Sequence, residues 1–312
     1  MASSSSWDEA LSAFPDAAHD LIEGAMHAGG VVGAAEVEKL AEIGGADMGT
    51  LMIQLLPVAA QFAIAPISNF QVGAVAQGMP TTGTEWASLY LGANVEFTGE
   101  ALTFGVHAEQ SATTSAWLNS EVGLQSLAIS AAPCGYCRQF LHEVVTEQDL
   151  DVLLPTGLGD DYTVTALSAL LPDAFGPRDV GVTGGLMDPE YQNHDLLLPG
   201  DCTDPLVLVA LNSAKQSYAP YTRGFAGCAI ETNDGFRYPG RYAENAAFNP
   251  SMSPLQSAIT FMNMSRSYGS ALELARAVLV ESPSKSGQRA ASTTVLASFA
   301  PGVTLEYHEV TL

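Results

Sequence analysis

His107-Ala108-Glu109, with Pro133-Cys134-Gly135-Tyr136-Cys137 a short distance downstream, most restricts how this chain can fold. The two stretches offer three ligands for a borderline-soft metal and one carboxylate that need not be a ligand. Zinc takes such a set where it is catalytic, with three protein ligands and a fourth position open for water. To use it, the chain must bring residue 107 and residues 134 and 137 to one point. His107 and Glu109 are two apart, which on a regular helix turns them to opposite faces. Both reach one site only if His107 stands at the helix start, and Gly105-Val106 suits such an entry. The Cys-x-x-Cys spacing lets both sulfurs converge in a first helical turn, where N–H groups and the helix dipole favour thiolate. The apolar run 124–131 leads straight into Pro133-Cys134, so a buried strand is expected to deliver the cysteines to that helix.

Other readings of the same residues are weaker. A closed structural zinc site needs a fourth Cys or His. The remaining histidines are His19, His27, His142, His194 and His308, and only His142 is near in sequence, on a helix leading away. Arg138 reads equally as a hydrogen-bond partner of a thiolate or as a solvated arginine. Cys202 and Cys228 are isolated and read as small buried hydrophobes. Four cysteines in a chain of this length set up no disulfide framework, which points to a reducing, cytoplasmic setting.

Helical spacing of apolar residues covers 7–60, broken at Gly29-Gly30 and Gly44-Gly45, after a short Ser-rich tip expected to be disordered. Strands are expected over 70–76 and 88–97, joined by a long 77–88 hairpin tip. A helix at 107–118, a strand at 124–131, a helix at 137–145 and a strand at 152–154 complete a layered α/β unit. Residues 155–200, rich in Pro, Gly and Asp, read as a connection. The second half echoes the first. Ala65-Pro66 and Gly73 find partners in Ala219-Pro220 and Gly227 at one offset, and Gly92 and Glu96 in Gly240 and Glu244 at a shorter one. Extended onward, this pairing sets His107 against Leu255 and Glu109 against Ser257, so the copy has lost its metal ligands and reads as structural. Its 242–250 stretch reads as kept for packing or for lining a site.

Charge enters when the substrate is asked for. The net charge is −23, from 34 acidic and only 11 basic residues, with no basic run. Such a surface repels phosphate backbones, whereas nucleic-acid binders need the opposite field. No apolar run approaches the about 18 residues of a membrane span. A small neutral substrate is expected, with neither nucleic acid nor membrane as partner.

His-x-Glu followed by Pro-Cys-x-x-Cys is the signature of zinc deaminases acting on cytosine or adenine. Together with Pro66-Ile67-Ser68-Asn69-Phe70-Gln71-Val72-Gly73-Ala74, Gly92-Ala93-Asn94-Val95-Glu96-Phe97, Arg138-Gln139-Phe140 and Leu171-Pro172-Asp173-Ala174-Phe175-Gly176-Pro177, it makes the chain resemble the two-domain, homodimeric cytidine deaminases of bacteria and plants. The resemblance runs from about residue 60 to 260. It implies a three-layer α/β/α deaminase fold, with a helical segment at 1–50, a catalytic domain at 51–190 and a degenerate, non-catalytic copy at 191–312. It implies one zinc per chain, held by His107, Cys134 and Cys137, with Glu109 as proton shuttle in the hydrolysis of cytidine, and of deoxycytidine, to the uridine product and ammonia. Phe70 would stack on the pyrimidine, and Asn94 and Glu96 would bind the ribose hydroxyls. Phe175 would be an aromatic near the ligand, in active sites completed across a homodimer. Phe70 by itself reads as core and Glu96 as a surface charge; in this motif context the binding roles take over. Two competing readings are deamination within RNA or DNA, which the charge opposes, and a zinc-stabilised scaffold that binds nucleosides without turnover.

Overall fold

The computed structural model describes residues 4–80, 84, 86–266 and 273–311; residues 1–3 of the Ser-rich tip and part of the 77–88 hairpin tip lie outside them. The chain opens with α1 (Ser4–Leu11), α2 (Asp16–His27), the two-residue strand β1 (Val31–Val32), α3 (Ala34–Gly44) and α4 (Met48–Ala60). Asp47 starts α4 by accepting the Thr50 N–H at 2.8 Å.

Next come β2 (Gly73–Gln77), β3 (Leu89–Ala93), α5 (Ala108–Leu118), β4 (Ser126–Ile129), α6 (Gly135–Leu141), β5 (Asp151–Pro155) and β6 (Tyr162–Ala166). The strands form one sheet in the order β1-β3-β2-β4-β5-β6, with β4 and β5 parallel and the other pairs antiparallel. Alternation along the strands assigns the faces. Ala74, Ala76, Tyr90, Leu127 and Ile129 point into the core that holds α5, while Val75, Leu89, Leu91, Ala93 and Ala128 point into the core that holds α4. The sheet is therefore the middle of three layers. The strand β6 corrects the expected bare connection: Tyr-Thr-Val-Thr-Ala has strand composition, but it is a half-exposed edge hidden in sequence by the turn residues before it.

A short helix, α7 (Leu167–Leu170), and irregular chain lead to α8 (Pro205–Lys215), β7 (Ala226–Thr232), β8 (Arg237–Arg241), α9 (Pro254–Met264), β9 (Leu274–Glu281), α10 (Arg289–Phe299) and β10 (Leu305–Glu309). The second sheet runs β10-β9-β7-β8, with β9 and β10 parallel, and so repeats the β5-β4-β2-β3 order of the first. The paired glycines have a packing cause. A Cβ on Gly73 would collide with the α4 backbone at Leu56, and one on Gly227 with the α8 backbone at Ala210. Gly92 stands in the same way under Ala112 of α5, and Gly240 under Ala258 of α9.

That contact also corrects the pairing of the site residues. The bridge Val95–Val106 encloses a loop two residues longer than the bridge Ala243–Met252. His107 therefore corresponds to Ser253 and Glu109 to Leu255, not to Leu255 and Ser257. Local bonding agrees: the His107 N–H donates to Gln110 Oε1 at 3.2 Å, and the Ser253 N–H to Gln256 Oε1 at 3.3 Å.

The halves meet through α5 and α9, and one buried core contains residues of both. Polar ties cross the seam. Arg241 lies 5.2 Å from the centre of the Trp117 ring and donates to Trp117 O at 2.8 Å, at the end of α5. Gln256 donates to Phe104 O at 2.5 Å and Asn263 to Phe62 O at 2.6 Å. Among the described residues no single helix is long and apolar enough to cross a membrane.

Candidate active site

Two helix starts face each other. His107 precedes α5 with extended backbone (φ −85°, ψ 158°), so its side chain escapes the helical phase that would part it from Glu109 in the first turn. Val95 and Val106 exchange backbone bonds of 2.9 and 2.8 Å and aim the chain into that turn. Cys134 precedes α6 in the same way, and Cys137 lies in the first turn. His107 Nδ1 is 3.5 Å from Cys134 Sγ and 3.2 Å from Cys137 Sγ. Tetrahedral zinc, with Zn–S about 2.3 Å and Zn–N about 2.0–2.1 Å, sets S···N edges of about 3.5 Å. The three donors fit one such ion. Among the described residues they are the one group of His, Cys, Asp or Glu side chains gathered closely enough for a metal, with all ligand atoms within 4.8 Å. His142 is not part of it; its Nδ1 pairs with Glu147 at 3.1 Å.

Electrostatics suits a cation here. The Cys137 thiol and the N–H groups of Cys137 and Tyr136 bring Cys134 down to about 5, while Cys137, the partner in that bond and itself buried, is pushed up. Burial pushes the Glu109 carboxyl up as well. Glu109 is 4% exposed. Arg138 does neither of the two things its sequence position suggests. Its Nε donates to Pro133 O at 2.9 Å and its guanidinium to Leu170 O at 2.8 Å, bracing the turn before Cys134.

A cavity of about 460 Å³ opens on this corner. Phe70, Asn94, Glu96, His107, Glu109 and Cys134 all line it, and Val72, Phe97 and Leu102 add apolar wall. Phe70 is 61% exposed and is not core. Cys137 is buried behind the wall. Phe175 does not line its own chain's cavity; its side chain is half exposed and its carbonyl accepts from Gln139 at 2.7 Å.

The structure gives Asn94 and Glu96 a task that the sequence did not reveal. The Asn94 amide accepts from Val72 N–H at 2.9 Å and donates to Phe70 O at 3.0 Å. Glu96 accepts from the N–H groups of Ile67 (2.8 Å) and Ser68 (3.0 Å) and from the Ser68 hydroxyl (2.5 Å). Partial burial acts against ionisation of Glu96, but the Ser68 and Ile67 donors outweigh it and hold the carboxyl below its ordinary value. Both side chains thus pin the loop that carries Phe70, whose Asn69 adopts a left-handed φ of 55°. In the second half Glu244 takes the Tyr221 and Thr222 N–H groups at 2.8 and 3.1 Å, and the Thr222 hydroxyl, in the same manner. There Tyr242 replaces Asn94, Ser253 replaces His107, and the strand register sets Ser284 opposite Cys134. At these matched positions the copy offers neither a histidine nor a cysteine.

Comparison with known proteins agrees with this geometry. Two models of the cytidine and deoxycytidylate deaminase zinc-binding region match, one over residues 48–148 and the other over residues 167–294. The cytidine deaminase of Photorhabdus laumondii is 47% identical over 255 residues, covering 81% of each chain. That of Sodalis glossinidius is 43% identical over 261 residues, covering 81% of this chain and 80% of its own. That of Aliivibrio fischeri is 40% identical over 303 residues, covering 96% of both.

Proposed function

The chain belongs to the cytidine and deoxycytidylate deaminase family, and from that premise we propose that its cavity binds a free pyrimidine nucleoside and that Glu109 moves the protons of hydrolytic deamination. The reaction takes cytidine and water to uridine and ammonia, and the cofactor is zinc. His107, Cys134 and Cys137 are the residues to hold it. Zinc so held supplies Lewis acidity, which brings the pKa of water from about 15.7 to about 7. Glu109 accepts the proton that this water gives up and passes it to ring N3. With the water oxygen bonded to C4, Glu109 then takes the proton of that new hydroxyl and delivers it to the amine, so the C4–N bond breaks, ammonia departs and the uridine carbonyl forms. A carboxylate does both tasks when its pKa lies between those of its partners, and burial moves Glu109 in that direction.

Phe70, exposed at the mouth, offers a face for the base. Asn94 and Glu96 keep unused lone pairs and a spare N–H for the sugar hydroxyls, beside the loop they pin. Deoxycytidine meets the same walls. The charge of −23 disfavours a polynucleotide and suits an uncharged nucleoside. Phe175, apart from its own cavity, is assigned to the partner's cavity in a homodimer. We place the divisions at residues 50 and 190, although β1 of the first sheet lies before residue 50 and the family match to the second half already begins at residue 167. Free thiols throughout the described residues suit a reducing, cytoplasmic setting.

The observation that carries this reading is Glu109, buried in the cavity beside the three-ligand cluster yet no member of it. The test follows the loss of cytidine's near-ultraviolet absorbance with wild type and with Glu109→Ala. The variant keeps its zinc and loses about 10²–10⁴-fold in rate. A zinc-loaded wild type inert on cytidine and deoxycytidine would falsify the proposal, and turnover only on oligonucleotides would favour the polynucleotide reading.

A further inference from the structure

Among the buried acids that the chemistry leaves unused is Glu143. Glu143 stands just beyond α6 and is 1% exposed. Its carboxylate accepts from the Tyr218 hydroxyl at 2.7 Å, from the Tyr221 hydroxyl and from the Ala246 N–H at 2.9 Å. All three donors belong to the second half. Burial pushes its carboxyl up and the three donors pull against that. An acid placed here costs more than an apolar residue of its size unless those donors are held in place. What it gives in return is direction, because a satisfied buried polar network fixes one arrangement where apolar packing tolerates several.

The same loops grip α6 twice more. Asn245 Nδ2 donates to Gln139 O at 2.9 Å, and the Tyr136 hydroxyl donates to Asn249 O at 2.8 Å. Tyr136 lies between the two cysteines, with its ring 5.9 Å from that of His107. The helix itself has only 7 residues. A helix so short does not hold its own position, so what packs on it decides where Cys134 and Cys137 stand.

We propose that Glu143 is a positioning residue for the zinc site: through it the second half, without metal ligands of its own, clamps α6 and keeps Cys134 and Cys137 in register with His107. The proposal rests on the assignment of those three residues as the zinc ligands.

The test is metal exchange in full-length Glu143→Gln, which keeps the shape but turns an NH₂ group toward donors. Cobalt(II) replaces zinc as a spectroscopic probe, since its thiolate charge-transfer and ligand-field bands report the two-sulfur, one-nitrogen set. The expected variant folds, shows altered cobalt bands and releases metal to a chelator about tenfold faster or more. Its turnover returns with excess zinc at unchanged KM. Tyr221→Phe, which removes one donor, moves the same readouts by less, and it decides the matter if Glu143→Gln does not fold. Ile22→Ala, in the core of the N-terminal helices, lowers stability and leaves the release rate alone. Wild-type bands and release rates in folded Glu143→Gln or Tyr221→Phe would overturn the proposal, as would equal acceleration in Ile22→Ala. A wild type that takes up no cobalt, or a Cys137→Ser variant with unchanged bands, would instead bring down the ligand assignment beneath it.

Discussion

At the scale of single residues, Glu96 shows why a role cannot be read from a motif alone. Its carboxylate lines the cavity, yet three donors from Ile67 and Ser68 already bind it. Glu244 makes the same bonds in a half that has no cysteine pair, so the loop-holding task exists without the chemistry. The two acids separate the tasks. Glu96→Gln and Glu244→Gln should each cost about 1–3 kcal/mol, since each loses hydrogen bonds to a charged group. Only Glu96→Gln should also raise the KM for cytidine. Denaturant titration and steady-state kinetics on both variants check this, and an equal KM increase in Glu244→Gln would leave Glu96 with the loop alone. The pH sense follows from the depressed carboxyl. Its stabilisation is complete above the ordinary value of 4.5 and fades as pH falls through the lower folded value. The stability difference between wild type and Glu96→Gln should therefore shrink on acidification below about pH 4.

Among elements, the close contacts of helices on sheets decide where the ligands sit. Gly92 lets α5 touch β3, and α5 begins at His107 and Glu109. Gly92→Ala forces that helix outward, at a cost of about 1–3 kcal/mol for overpacking. It should weaken zinc retention together with stability, whereas Gly240→Ala, under α9, should cost similar stability and leave zinc in place. Metal analysis after dialysis, beside thermal melts, distinguishes the two. These glycines, the strand patterns and the ligand spacing were all legible in the sequence, because each reflects a local rule of period, size or donor type. What was not legible depends on distance across the fold. The edge strand β6 alternates Tyr162, Val164 and Ala166 with threonines, but the turn residues before it mask the pattern and Val164 is left exposed at the edge. The true partner of His107 is Ser253, a fact hidden in a loop two residues shorter. Arg138 finds its acceptors at Pro133 and Leu170, and Glu143 finds its donors in the other half. A lone acid between Leu141 and Val144 is the sort of signal that could have marked Glu143 beforehand.

For the whole molecule the question is whether two halves of different function are also two units of stability. Their sheets repeat one order, but the core that holds α5 also holds Leu255, Ala258 and Ile259 of α9. Arg241, Gln256 and Asn263 donate across the seam to carbonyls of the first half, and buried polar groups of this kind lose their partners if one half opens alone. Opening the first half would also strip α9 of the apolar face of α5 that it packs against. The halves should therefore unfold in one transition. Held as proposed, in the first half only, zinc at a thousandfold excess over its Kd adds about 4 kcal/mol to that shared transition. Removing it by chelation should lower a single melting temperature and not split the melt into two. Hydrogen exchange reads the coupling directly. On zinc removal, amides of β7 and β9 should lose as much protection as those of β2 and β4, although no zinc ligand lies in their half. If β7 and β9 keep their protection while β2 and β4 lose theirs, the second half is a separate unit. It would then be too loosely coupled to hold the cysteines of the first in place.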